Sequence, residues 1–73
     1  MNAQEVQKLI EAGLQDAAVT VRSDDGRHFG VEVVTGAFIG KSVVAQHQMV
    51  YATLGGHIGR EIHALELKTR ASV

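Results

Sequence analysis

The stretch Val19-Thr20-Val21-Arg22-Ser23-Asp24-Asp25-Gly26-Arg27-His28-Phe29-Gly30-Val31-Glu32-Val33 decides the fold. Val19 and Val21 alternate with Thr20 and Arg22, and Phe29, Val31 and Val33 alternate with His28, Gly30 and Glu32. A period of two with β-branched residues on one side describes a strand buried on one face only. Between the runs lies Ser23-Asp24-Asp25-Gly26, whose short polar side chains can bond their own backbone while Gly26 takes a positive φ. Two alternating runs joined by that chemistry predict a β-hairpin with one apolar face.

Before the hairpin, Val6, Leu9, Ile10 and Leu14 fall at i, i+3, i+4 and i+8, the stripe of an amphipathic helix. Asn2 is placed to cap it, with Glu5 completing a capping box. After the hairpin, Gly36-Ala37-Phe38-Ile39-Gly40-Lys41 is a loop bracketed by glycines, and both Phe38 and Ile39 are expected to plug the core. Ser42 can cap a second helix with the stripe Val43, His47, Val50, Tyr51 and Leu54. Gly55, Gly56 and Gly59 weaken regular helix, so a turn is expected there, followed by one further helical turn around Ile58. His63, Leu65 and Leu67 then alternate with Ala64, Glu66 and Lys68 in a third strand that His63 opens. Residues 70–73 read as a frayed tail.

A hairpin followed by a helical crossover to a third strand predicts a mixed sheet. The polar alternates Arg22, Glu32, Glu66 and Lys68 keep one face of it wet. The expected fold is therefore α+β, a two-layer αββαβ sandwich over residues 1–73 with both helices on one face of a three-stranded sheet.

Composition limits what such a domain can do. Seventy-three residues support one small core, and with 45% hydrophobic and 21% charged residues the chain is not of the disordered class. Cysteine is absent, which removes disulfides, thiolate nucleophiles and any Cys-ligated metal site of the chain's own. A net charge of −1 makes no global electrostatic case for nucleic acid or anionic membrane. Glu5, Lys8 and Glu11 interrupt the N-terminal apolar positions, so no signal-peptide core is read there. No uncharged apolar run approaches the ~18 residues of a membrane span. The chain reads as cytoplasmic.

No catalytic template is present, so the chain does not read as an enzyme. Ser23 and Ser42 sit in turn and cap contexts, and Asp24 and Asp25 are turn formers. The four histidines are the residues able to do unusual chemistry. His47, on the apolar stripe, reads as a partly buried structural residue, and His57 as a solvated turn residue. His28 follows the hairpin turn on the polar alternate. His63 leads an otherwise apolar face at a strand margin, as either a ligand or a capped core residue. Gly56-His57-Ile58-Gly59 spells the GxxG of nucleic-acid clamps, although glycines that end a helix explain it more simply.

Three further segments carry a resemblance. Phe38-Ile39-Gly40-Lys41 is similar to an F-x-G-K loop, Gln46-His47-Gln48-Met49-Val50-Tyr51-Ala52-Thr53-Leu54 to a helix motif xHrxVyxxL, and Glu61-Ile62-His63-Ala64-Leu65 to an xIHAL strand. His28-Phe29 matches the HF that opens the second strand of the same family. In this order and spacing they resemble the BolA-like proteins, in a short bacterial-type form.

The resemblance implies a fold similar to type II KH domains and a non-enzymatic role in iron–sulfur trafficking or iron and redox sensing. The implied partner is a monothiol glutaredoxin, with which a glutathione-assisted [2Fe–2S] cluster is shared. The family's ligand in the IHAL strand carries over to His63, and its loop ligand has its nearest match in His28. Placed beside a turn, His28 is expected to be the more replaceable of the two. Alone, the chain is expected to hold no cluster, to be a monomer or weak homodimer, and to bind no membrane. Some bacterial members of the family are DNA-binding regulators of stress response and cell shape. That gives a second reading, DNA or RNA bound on the KH-like face through Lys41, Arg60, Lys68 and Arg70.

Overall fold

Asn2 and Glu5 start the first helix by capping each other. The Glu5 amide donates to Asn2 Oδ1 at 2.8 Å and the Asn2 amide to Glu5 Oε1 at 3.1 Å. Two orphan donors of the first turn are thereby satisfied. The computed structural model describes residues 1–72. Helix α1 runs Ala3–Gly13 and buries Val6 and Ile10. Asp16 then takes a φ of 63°, which turns the chain into strand β1, Ala18–Arg22. Strand β2 is His28–Thr35, helix α2 Val43–Leu54 and strand β3 Ala64–Ala71.

β2 is the central strand. It pairs antiparallel with β1, from Ala18 opposite Val34 to Arg22 opposite Gly30, and parallel with β3, from His28 opposite Ala64 to Thr35 opposite Ala71. Phe29, Val31 and Val33 point inward and are buried, while Thr20, Arg22, Glu32, Glu66 and Lys68 are exposed on the other face. The inward side chains join Val6, Ile10 and Leu14 from the first helical segment, Val50 and Leu54 from α2, and Phe38 and Ile62 in one core. The expected α+β two-layer arrangement with a mixed three-stranded sheet is therefore the observed one.

The helical crossover departs from its expected details. Phe38 is fully buried but Ile39 is 62% exposed, so one residue plugs the core and the other does not. On α2 the buried residues are Gln46, Val50 and Leu54, with Met49 and Thr53 half-buried, whereas Val43 and Tyr51 of the expected stripe are exposed. A polar residue holds the inward position because its needs are met. Gln46 Nε2 donates to Lys41 O at 2.9 Å, and Gln46 Oε1 accepts from Thr69 Oγ1 at 2.7 Å. The second of these bonds ties the start of α2 to β3, and the first ties it to the preceding loop.

The ends of the last segments differ too. Gly55, at φ 52°, stops α2, and the turn that follows is a 3-10 turn at Gly55–His57 rather than a helical turn around Ile58. Ile58 instead bridges to Ile62. The tail expected to fray from residue 70 is paired, because β2 extends far enough to hold it. Arg70 and Ala71 face Val34 and Thr35, and the Ser72 amide donates to Thr35 O at 3.1 Å. Val73, the remainder of that expectation, lies outside the described residues. Among the described residues no helix is long and apolar enough to cross a membrane.

Truncating Gln46 to Ala strands the hydroxyl of Thr69 and the carbonyl of Lys41 beside the core and is expected to cost ~1–3 kcal/mol. Val44→Ala, on the exposed side of α2, is expected to change stability by less than about 0.5 kcal/mol. Urea denaturation of both variants checks this; equal effects would mean that the helix faces the sheet differently.

Candidate functional site

The hairpin turn is built from side chain to backbone. Ser23 Oγ accepts from the Gly26 amide at 3.0 Å, and Asp25 Oδ1 accepts from the amides of Arg27 and His28 at 2.8 and 2.9 Å. Gly26 adopts a φ of 73°, which only glycine takes at little steric cost. The turn leaves the Arg27 carbonyl facing the other end of the chain, where it accepts from both the His63 amide at 2.9 Å and the Ala64 amide at 3.3 Å. His63 therefore stands one residue before β3 rather than opening it.

This places the two candidate ligands that the resemblance implied side by side. The ring centroids of His28 and His63 are 6.3 Å apart with an interplanar angle of 34°. Both residues are exposed. Two rings sharing one tetrahedral ion through nitrogen at about 2 Å have centroids roughly 5 Å apart, so the pair would have to close by about an ångström to share one. In donor type the two imidazoles suit iron or zinc. Among the described residues no group of three or more His, Asp or Glu side chains could hold a metal ion. The histidine pair supplies two ring nitrogens and no third side-chain donor of that kind among the described residues.

His28 is not held loosely by its turn. Its Nδ1 lies 2.6 Å from Asp25 Oδ2. The hydrogen bonds from the His28 amide, then the Arg27 amide, then the His28 ring hold the Asp25 carboxyl far below the usual carboxylate range. Three bonds to the Asp25 carboxylate and one to Ser23 Oγ brace the turn beside His28. Beside His28, Arg22 lies across Gly30, where a Cβ would come within 3.2 Å of its Nε and Cζ. Asp24 and Glu66 line the same shallow cleft, so its charge is mixed.

The other candidates lie apart. Phe38 is a core residue, and His47 is half-buried on α2. His57 is not free in its turn: it is half-buried and its Nδ1 lies 2.8 Å from Glu61 Oε1, a bond that lowers the Glu61 pKa. The glycine turn is closed on itself, with the Gly59 amide bonded to Ile62 O and the amides of Arg60 and Ile62 to His57 O. Lys68 and Arg70 project together from the outward face of β3, with Glu32 opposite Lys68. Arg60 precedes β3 and so stands at the far end of that strand from Arg70. In the sequence Asp25 reads only as a turn former, and its bond to the His28 ring and the Arg27 carbonyl's bonds to His63 and Ala64 are seen only in the fold. An Asp three residues before a candidate ligand was a readable signal for the first, whereas a backbone carbonyl leaves none.

A family model described as BolA-like protein matches residues 4–73. The fold is similar to that of a bolA protein homologue from Coxiella burnetii, at TM-score 0.84 and 34% identity, covering 99% of this chain and 91% of that one. It is also similar to the BolA domain of SufE1 from Arabidopsis thaliana, at TM-score 0.75 and 26% identity, covering 94% and 90% of the two chains. An uncharacterised protein of the rpoN–murA intergenic region of Acinetobacter guillouiae is 33% identical over 69 residues, which are 93% of this chain and 82% of the relative.

The depressed Asp25 pKa has a signed consequence. Its contribution to stability is fully present above the unfolded carboxyl pKa and is lost as pH falls through the lower folded one. A 13C titration is expected to place the Asp25 carboxyl midpoint well below the ordinary value of about 3.9, with the Arg27 and His28 amide signals unchanged until that pH is reached. A midpoint at the ordinary value would show that these bonds are not kept in solution.

Proposed function

The chain belongs to the BolA-like protein family, and from that membership we propose a non-enzymatic adaptor that binds a monothiol glutaredoxin and shares a glutathione-assisted [2Fe–2S] cluster with it. The observation that carries this reading is the His28–His63 pair, two exposed imidazoles from distant parts of the sequence with ring centroids 6.3 Å apart. Such a cluster needs four ligands, usually thiolates. This chain has no cysteine, so its share is the two imidazoles, and the thiolates come from glutaredoxin and glutathione. Neutral imidazole in place of thiolate removes negative charge from the oxidised cluster and raises its potential. It also makes ligation sensitive to acid, since a protonated ring cannot bind iron. Those are properties of a cluster that is handed on or that senses conditions, in trafficking or in redox signalling.

One further point supports the reading. The chain needs only its own small fold to present the pair, and the BolA domain of SufE1 is a similar unit within another protein. The site holds two donors, so in the isolated chain no tightly bound cluster is expected. The reading places this role in the cytoplasm. Nucleic-acid binding through Lys41, Arg60, Lys68 and Arg70 has less support. Arg60 and Arg70 stand at opposite ends of a strand that rises ~3.3 Å per residue, and the glycine turn spends its amides internally.

Mixing the chain with a monothiol glutaredoxin, iron, sulfide and glutathione is expected to give a visible circular dichroism spectrum distinct from that of the glutaredoxin homodimer. His63→Ala and His28→Ala are each expected to return the homodimer spectrum, while association of the two apo proteins persists. A normal heterotypic spectrum in either variant would remove that histidine from the ligand set. Salt-sensitive DNA binding with an unchanged spectrum would replace the whole reading with the nucleic-acid one.

A further inference from the structure

We propose that Asp25 is the positioning residue of the site and dictates which nitrogen of His28 faces a metal. The proposal rests on the reading of His28 as a ligand and deepens it. A neutral imidazole carries its proton on one nitrogen and can ligate only through the other. Asp25 Oδ2 lies 2.6 Å from His28 Nδ1, and an ionised carboxylate can only accept. The proton is therefore held on Nδ1, and Nε2 is left as the donor atom. Metal-bound histidines are commonly oriented by such a carboxylate on the second nitrogen, which also raises the basicity of the ligating one.

The carboxylate is itself fixed. Its other oxygen accepts from the amides of Arg27 and His28, so it cannot turn away without breaking the hairpin turn. The same turn aims the Arg27 carbonyl at the His63 and Ala64 amides. Asp25 thus orients one imidazole through its ring and holds in place the backbone that anchors the other. The residue stands outside the ligand set and touches no metal. Its effect is exerted wholly through His28 and the turn.

Asp25→Asn separates these roles. Asn keeps an oxygen for the Arg27 and His28 amides, so the turn is preserved, but it turns an NH2 donor toward His28 Nδ1. Long-range 1H–15N spectra of the isolated chain, recorded where the ring is neutral, are expected to show the Nδ1–H tautomer in the parent and the Nε2–H tautomer in Asp25→Asn. Core amide signals should coincide in the two. Zn2+ titrated into the isolated chain is the metal probe, and Asp25→Asn is expected to weaken its effect on the His28 and His63 ring signals by about tenfold.

Asp25→Ala, which loses the turn bonds as well, should broaden the signals of residues 24–28 in addition. An Nε2–H tautomer in the parent would overturn the proposal, as would the same tautomer or undiminished Zn2+ binding in Asp25→Asn. No glutaredoxin, iron or sulfide enters these measurements. Their failure is therefore distinct from failure of the shared-cluster reading, which the heterotypic spectrum tests.

Discussion

The parallel ladder between β2 and β3 is the constraint on which the rest of the molecule depends. Its register sets His28 opposite Ala64, and that one pairing brings the hairpin turn to the residue preceding β3. From there the Arg27 carbonyl reaches the His63 amide, and the two imidazoles become neighbours. A shift of one residue would reverse the faces of β3, burying Glu66 and Lys68 and exposing Leu65 and Leu67. The apolar face thus selects the register, and the register creates the histidine pair. Packing and the adjacency of the two rings are consequences of the same alignment.

Most of the architecture was legible because its signals are local. The valine alternation of residues 19–33, the Asn2–Glu5 capping box and the Ser23–Gly26 turn each depend on neighbours a few residues away. What the sequence hid depends on contacts made across the fold. Gln46 reads as a surface residue until Lys41 and Thr69 are seen to satisfy both ends of its amide. The apolar stripe read from the sequence includes Val43 and Tyr51, which the fold leaves exposed, and omits Gln46, which it buries. Arg70 and Ala71 read as a tail because nothing near them in sequence indicates how far β2 extends. His28 and His63 were singled out as residues, but their adjacency follows from a pairing between strands far apart in the chain. Asp25 was recognised as a turn former and is one; its second carboxylate oxygen, free to reach the ring, is what the turn alone did not suggest.

α2 distributes its apolar residues differently from α1. The first helix concentrates them on the buried face, whereas Ile39, Val43 and Val44 remain exposed around the start of the second. The wet face of the sheet is polar and carries both signs of charge, from Arg22, Glu32, Glu66 and Lys68. The molecule therefore presents surfaces of distinct character: apolar at the beginning of α2, charged across the sheet, and imidazole-bearing at the end where β2 and β3 begin.

The crossover connection also orders events in time. α1 and the β1–β2 hairpin are made of contacts close in sequence, whereas β3 must return across residues 36–63 to pair with β2. Closing a long connection costs chain entropy before its contacts are gained, so parallel pairing forms late. A nascent chain in which only the hairpin has formed already holds His28 against Asp25 but has no His63 beside it. The His28–His63 pair comes into existence with the final pairing step, so a chain caught part-way through folding presents a single imidazole at this end and only the finished domain presents two.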